Sequence, residues 1–202
     1  NGDINEFRAS PVIAANSDRV VVFWSETNTE SGSSSDQDIV YSSSNDDGIS
    51  WSDYDDVSEH YYEAFSGLPS LAYSGDFIYL VYMDNGDYDQ ENNPNGNDAA
   101  DRDGDIYFQR SDDEGESWDS LKVLSLFDED EENDLDYTSI LLQYRADIAA
   151  TGNYVHVAWV DYDSYDGGYD IYYTKSNNNG NSWTSPESVS TASSPGGVTI
   201  AS

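Results

Sequence analysis

The sequence predicts an all-β protein in which one unit of four antiparallel strands is repeated three times. The first observation is an eight-residue pattern, Ser-x-Asp/Asn-x-Gly-x-Ser-Trp, whose three copies start 67 and 65 residues apart. A fixed spacing of this size is typical of repeat architectures. The second observation is that short segments rich in Val, Ile, Tyr and Trp alternate with turn residues, as in strands joined by turns. The third is that no stretch shows the sustained apolar period of ~3.6 residues that indicates a helix.

Each unit contains the same four segments in the same order. The first segment runs without a gap into a second, continuously apolar one, which predicts a strand that is buried on both faces. A variable stretch precedes the third segment, which leads directly into the eight-residue pattern. The first segments are 10–15, 68–73 and 145–150, the second 20–24, 78–82 and 155–159, the third 38–41, 105–108 and 170–173, and the units end at Ser58, Ser125 and Ser190.

Four antiparallel strands per unit form one blade of a β-propeller. We therefore predict a single repeat domain over residues 1–202, with blade 1 at about 8–58, blade 2 at about 68–125 and blade 3 at about 144–190. Residues 191–202 are a tail or the start of a further strand. Three blades do not close a propeller, which has ~4–8 blades. The prediction is therefore a partial propeller or one that is completed by assembly.

The eight-residue pattern, called the box below, has a structural explanation as the turn between the third and fourth strands. Its Gly can adopt a positive φ, and its Ser and Asp oxygens can accept hydrogen bonds from turn amides. In the third copy Asn replaces Asp, which keeps an acceptor without the charge and favours hydrogen bonding over metal ligation or acid chemistry. We also expect each Trp to be buried over its turn. The predicted structural residues are Ser44, Asp46, Gly48 and Trp51 in box 1, Ser111, Asp113, Gly115 and Trp118 in box 2, and Ser176, Asn178, Gly180 and Trp183 in box 3.

The box resembles the Asp-box, or BNR repeat, of sialidase-like β-propellers. The resemblance implies Asp-box hairpins on the periphery of the blades, away from any active site. Proteins with such repeats are commonly exported, so the resemblance also implies an extracellular or cell-surface location. Since an unclosed set of blades exposes an apolar face, we expect self-association or further blades of a longer chain as partners.

The charge of the chain excludes some partners. Acidic residues number 41 against 7 Lys and Arg, for a formal net charge of −34. A field of this sign repels nucleic acid and anionic membranes, so neither nucleic-acid binding nor membrane insertion is expected. Three explanations of the acidity remain open: a solvated surface suited to high salt, Ca²⁺ binding, and a specific cationic partner. The absence of Cys excludes a disulfide framework and thiol chemistry.

Calcium is the cofactor that the acidic loops suggest. Carboxylates that alternate with Asn and Gly supply the hard oxygen ligands that Ca²⁺ prefers, although no stretch has the full spacing of an EF-hand loop. The alternative is a solvated loop without a metal. The candidate ligands are Asp101, Asp103 and Asp105 in the second unit and Asp161, Asp163 and Asp166 in the third.

The same resemblance invites a search for a sialidase active site, which would hold a substrate carboxylate with three arginines. The segment 7–11 (Phe-Arg-Ala-Ser-Pro) resembles the aromatic-Arg-Ile-Pro motif of sialidases, but it has an inserted residue and lacks the Ile. Tyr144-Arg145-Ala146 is a weaker match, and Tyr61-Tyr62-Glu63 offers a Tyr and a Glu without evidence of geometry. A sialidase site draws residues from a closed six-bladed ring, so no catalytic residues are predicted. The remaining arginines are Arg19, Arg102 and Arg110, and the histidines are His60 and His156.

The sequence therefore predicts a non-catalytic extracellular repeat protein with a structural, self-assembling or binding role. Two alternatives stay open. One is a fragment of a sialidase-like glycoside hydrolase, and the other is a lectin-like propeller that binds carbohydrate, to which Tyr and Trp side chains could contribute.

Cations are expected to stabilise the fold, because they screen or bridge carboxylates that repel one another. The melting temperature should be lowest in chelator at low salt and should rise in millimolar calcium, in molar NaCl, or in both. A rise with NaCl alone favours screening over a calcium site. Equal melting temperatures in all three solutions would contradict both explanations.

Overall fold

In a computed structural model, the protein is described over residues 7–27, 37–58, 65–84, 104–125, 144–163 and 168–190. These residues form twelve strands and no helix, so the described part contains no helical segment able to cross a membrane. The strands make three four-stranded antiparallel sheets with the orders β1-β2-β3-β4, β5-β6-β7-β8 and β9-β10-β11-β12, which are blades 1, 2 and 3. The strands are β1 (Arg8–Ala15), β2 (Val20–Thr27), β3 (Gln37–Ser44), β4 (Asp55–Asp56), β5 (Ser66–Ser74), β6 (Phe77–Asp84), β7 (Asp105–Ser111), β8 (Lys122–Val123), β9 (Tyr144–Thr151), β10 (Tyr154–Asp163), β11 (Gly168–Ser176) and β12 (Glu187–Ser188).

A β-bulge lies at the same place in the first strand of every blade. The register with the second strand shifts there, and one residue adopts a positive φ: Ser10 (52°), Leu68 (54°) and Arg145 (49°). A bulge bends the strand and increases its local twist. The three sheets thus share an irregular feature as well as strand order, which makes them copies of one structural unit.

The blades pack face to face in the order 1-2-3, with blade 2 between its neighbours. Alternate residues of a strand point to opposite faces, and all of β6 from Ile78 to Asp84 is buried. We call the side of blade 2 that carries Ile78, Leu80 and Tyr82 the front face. The side that carries Tyr79 and Val81 is the back face. The same terms apply to the equivalent positions in blades 1 and 3. One core cluster joins the back face of blade 1 to the front face of blade 2, and a second joins the back face of blade 2 to the front face of blade 3.

Two of the three box tryptophans, Trp118 and Trp183, pack against the preceding blade. The Trp118 ring lies with its centroid 5.4 Å from Phe23 and 5.8 Å from Tyr41, both in blade 1. The Trp183 ring lies 4.8 Å from Phe108 of blade 2. Blade 1 has no preceding blade among the described residues, and Trp51 is 46% exposed. The expectation that all three tryptophans are buried is therefore wrong for Trp51, and the other two are half-buried.

Replacing Trp183 should destabilise the protein far more than replacing Trp51, although both residues occupy the same position in their boxes. Trp183→Ala removes a ring packed on Phe108, and we expect it to lower the free energy of unfolding by about 2 kcal/mol. Trp51→Ala removes an exposed ring and should change it by less than about 0.5 kcal/mol. Urea unfolding at the lowest usable protein concentration measures both values. Equal losses would contradict packing on the preceding blade as the source of the difference.

Candidate functional site

The boxes lie at one end of each sheet and share one hydrogen-bond pattern. In box 2, the Ser111 hydroxyl accepts from the Gly115 amide (2.7 Å) and donates to Oδ1 of Asp113 (2.7 Å). Asp113 also accepts from the amide and the hydroxyl of Ser117, at 2.8 and 2.6 Å. Box 1 repeats these bonds with Ser44, Asp46, Gly48 and Ser50 at 2.5–2.9 Å. Both glycines have a positive φ, 80° for Gly48 and 91° for Gly115, where a Cβ would be strained.

Box 3 keeps the pattern without the carboxylate. Asn178 accepts from the Ser176 hydroxyl and the Ser182 amide and donates to the Ser182 hydroxyl, at 2.8, 3.0 and 2.9 Å. In the other two boxes, the hydroxyl and amide hydrogen bonds from Ser50 and Ser117 lower the pKa of Asp46 and Asp113 to about 2. The negative charge is therefore compatible with the turn but is not required by it.

Each of the last two boxes also binds the blade that precedes it through polar contacts. The Arg19 guanidinium donates to the Glu114 carbonyl (2.7 Å) and the Tyr41 hydroxyl donates to the Gly115 carbonyl (2.7 Å). Between blades 2 and 3, Arg110 donates to the Asn179 carbonyl and Lys122 to the Gly180 carbonyl (2.6 Å). The box is therefore a docking element between blades in addition to a turn.

Opposed carboxylates lie at the other end of the sheets. The second and third strands pair Glu26 with Asp38, Asp84 with Asp105, and Asp161 with Asp170. Directly opposed like charges destabilise a sheet unless they are compensated. Glu26 accepts from Nε and Nη2 of Arg8 (2.9 and 2.6 Å), Asp84 accepts from the Ser66 hydroxyl (2.5 Å), and Asp105 accepts from the Ser125 hydroxyl (2.7 Å).

A serine at the end of each unit ties the fourth strand to the third. The hydroxyls of Ser58, Ser125 and Ser190 accept from the amides of Ile39, Ile106 and Ile171 at 2.7, 2.9 and 2.6 Å. Ser190 also donates to Asp170 (2.8 Å), as Ser125 does to Asp105. The sequence signal for this role was the repeated serine at the end of each unit, but only the fold shows that it reaches back across 19 residues.

The predicted calcium ligands are not brought together among the described residues, where no group of three or more His, Asp or Glu side chains is arranged to hold a metal ion. Asp105 and Asp161 lie in different blades, each paired across its sheet as described above, and Asp163 ends β10 opposite Gly168. Asp101, Asp103 and Asp166 lie outside the described residues.

The arginines considered for a sialidase site serve structural contacts where those contacts are described. Arg8 binds Glu26, Arg19 binds box 2, and Arg110 binds both Asp119 (2.5 Å) and box 3. Arg145 is exposed on β9. Nδ1 of His156 lies 2.8 Å from the Tyr173 hydroxyl. Arg102, His60 and 61–63 lie outside the described residues.

A groove of about 500 Å³ lies where box 2 of blade 2 meets the outer edge of blade 1. Its aromatic walls are Trp51 and Tyr41, and Arg19 and Glu116 supply charges. Sequence analysis missed this groove because its two sides come from different units, far apart in the chain. The rest of the lining consists of Gly115, the polar residues Ser43, Asn45, Ser50 and Ser52, and two further carboxylates, Asp53 and Asp55.

Comparison with known proteins agrees with the fold. No protein-family model and no curated protein sequence matches the chain. Its structure is similar to the sialidase of Trypanosoma rangeli (17% identity, TM-score 0.56), the NanB sialidase of Streptococcus pneumoniae (14%, 0.59) and the intramolecular trans-sialidase of Ruminococcus gnavus (12%, 0.57). The similarity covers 89%, 91% and 88% of this chain but 30%, 44% and 60% of those chains. The chain thus has the fold of sialidase-like β-propeller blades and spans less than two thirds of the length of these structures.

The free energy of unfolding should fall at low pH as Asp113 is protonated, and Asp113→Asn should remove this part of the pH dependence. The pKa of Asp113 is lowered from 3.8 to about 2 in the folded protein, so its contribution is fully present above about pH 4 and is lost as the pH falls through about 2. Urea unfolding between pH 5 and pH 2 should show a shallower loss in the variant than in the wild type. Asp112→Asn removes the same charge next to the box hydrogen bonds and serves as the control. If Asp112→Asn made the loss of stability between pH 5 and pH 2 equally shallow, the effect would come from net charge and not from the box hydrogen bonds.

Proposed function

We propose that this chain is a non-catalytic Asp-box propeller module that acts by assembly or binding. It contributes three blades to a larger propeller, either by self-association or together with further blades of a longer chain. The blade fold supports the proposal, as does the covered length of the similar sialidase structures. An extracellular or cell-surface location belongs to the same proposal and rests on the resemblance to exported repeat proteins.

The observation that carries this proposal is the bidentate pair of Arg8 with the buried Glu26. Arg8 belongs to the segment that most resembles a sialidase motif, where an arginine would bind the carboxylate of the substrate. Both oxygens of Glu26 accept from Arg8, and Oε2 also accepts from the Trp24 indole (2.8 Å). The Glu26 carboxylate compensates the charge of Arg8 and occupies its Nε and Nη2 donors, which weakens its attraction for a second carboxylate.

Calcium binding and adaptation to high salt remain proposals of the same kind. They are supported by the net charge of −34 and by the opposed carboxylates at the strand ends. Cations near these groups would lower the repulsion between them.

Carbohydrate binding, either in a lectin-like module or in part of a glycoside hydrolase, is the second candidate function. The specific observation in its favour is the groove beside Trp51, where an exposed aromatic ring lies next to several polar side chains. The sialidases with a similar fold give the class of ligand to test first.

Purified protein should not hydrolyse a fluorogenic sialoside above the rate of the buffer. The reason is that Arg8, the best candidate for binding the substrate carboxylate, is held by Glu26. A sialidase of known activity is the positive control. Turnover that Arg8→Ala or Arg145→Ala abolishes would overturn the non-catalytic proposal. Binding of sialyl-lactose by isothermal titration calorimetry, lost in Trp51→Ala, would favour the carbohydrate-binding candidate.

A further inference from the structure

Both interfaces between blades follow one rule, which pairs an aromatic seat on a back face with the box of the next blade. In blade 1 the seat is the stacked pair Phe23 and Tyr41 (5.1 Å), and it receives Trp118. In blade 2 it is the stacked pair Tyr79 and Phe108 (6.3 Å), and it receives Trp183. A cation beside the seat then donates to the carbonyl of the positive-φ residue in the incoming box, as Arg19 does to Glu114 and Arg110 to Asn179.

Blade 3 carries the same seat on its back face. His156 and Tyr173 occupy the positions that Tyr79 and Phe108 occupy in blade 2, and their rings are also stacked, 6.0 Å apart. Lys175 takes the position of Arg110 and is exposed. Ile171 (36% exposed) and Val189 (59%) of blade 3 take the positions of Ile106 and Leu124 of blade 2. Those two residues of blade 2 are buried because blade 3 packs over them. No described residue follows blade 3 to fill this seat.

Blade 1 carries the matching box and front face. Trp51 is the only box tryptophan that makes no ring contact with another blade in the described structure. Asp47 has a φ of 61°, as Glu114 (63°) and Asn179 (56°) do, so its carbonyl occupies the position that Arg19 and Arg110 bind in the other boxes. Ile13 (68% exposed) occupies the position of Ile148, which is buried against blade 2.

Exposed apolar residues are concentrated on the outer blades. The large hydrophobic side chains that are exposed in the described structure all belong to blades 1 and 3 or to the residue that precedes β1, and none belongs to blade 2. Apolar side chains that are exposed at positions buried elsewhere in the repeat indicate a face suited to packing against another blade. The two surfaces are complementary because blade 3 carries the seat positions of blade 2 and blade 1 carries the box and front-face positions of blade 3, which pack together within the chain.

We infer that the chain binds a second copy of itself head to tail, with Trp51 of each copy seated on His156 and Tyr173 of the other. This inference rests on the proposed assembling role and names its partner. Lys175 then donates to the Asp47 carbonyl of the partner copy, as Arg110 does to Asn179. Two copies bring six blades, which is within the ~4–8 of closed propellers, whereas three copies would exceed it. Because both interfaces form in one pair of chains, the assembly closes as a dimer and does not extend into a filament.

The strength of dimer association should depend on the salt concentration. Each copy carries a net charge of −34, and the repulsion between two such copies is screened over ~3 Å in 1 M salt compared with ~30 Å at 0.01 M. The contacts between the faces are apolar or use a backbone carbonyl, so salt weakens the repulsion more than it weakens the attraction. Association should therefore strengthen as NaCl is raised.

Sedimentation velocity of the wild type, Trp51→Lys and Tyr173→Asp, alone and mixed, tests the inference. The wild type is expected at twice the chain mass of 22.4 kDa in molar NaCl. Each variant alone should dissociate, with a dimer dissociation constant raised about thirtyfold or more, as for a central aromatic anchor. An equimolar mixture should form a heterodimer, since one interface is then native and the other pairs the introduced lysine with the introduced aspartate. Phe7→Lys alters an exposed aromatic at the opposite end of the blade 1 sheet and should leave the dimer intact.

The mixture separates loss of an interface from loss of folding, because a misfolded variant would not be rescued by another. A wild type that stays monomeric at every salt concentration overturns the inference, and so do assemblies larger than a dimer or variants that do not restore each other. A monomer that binds sialyl-lactose through Trp51 would assign the groove to a sugar instead. Sialoside turnover by an intact dimer would overturn the non-catalytic function and leave the assembly standing.

Discussion

The seating of a box tryptophan on an aromatic pair of the preceding blade is the contact on which the rest of the structure depends. A four-stranded sheet cannot bury both of its apolar faces by itself, so each blade needs a neighbour. Trp118 and Trp183 provide large apolar surfaces at the edge of each interface, where short outer strands supply little else. The hydrogen bonds of Ser, Asp and Gly in the box hold the turn in the one shape that presents the Trp to the next sheet.

The carboxylates whose contacts are described lie at both ends of the sheets. At the box end, the carboxylates of Asp46 and Asp113 accept turn hydrogen bonds and stay close to solvent. At the opposite end, the carboxylates that meet across the sheets include Glu26 and Asp84, which bind Arg8 and Ser66. Positive charge is scarce, and its described uses are mostly structural: Arg19, Arg110 and Lys122 join one blade to the next.

Much of the fold and part of the candidate site could be predicted from residues close in sequence. The order of the strands and the turn conformation of Gly48 and Gly115 follow from patterns only a few residues long. The serine that ends each unit was visible as a repeat, but its bond to the third strand was not. The groove beside Trp51 was not predictable, because its walls come from Tyr41, Trp51 and Glu116 in two different units.

The sequence by itself determined that this is a three-blade all-β repeat protein, because strand patterns and turn chemistry are local properties of a chain. Only the tertiary structure decided what the three equivalent tryptophans do. Their local sequences are alike, yet Trp118 and Trp183 lie on a neighbouring sheet whereas Trp51 is exposed. Burial depends on which surface lies opposite, and that surface comes from residues far away in the chain or from another molecule. The exposure of Trp51 is therefore a property of the folded protein that its local sequence does not determine.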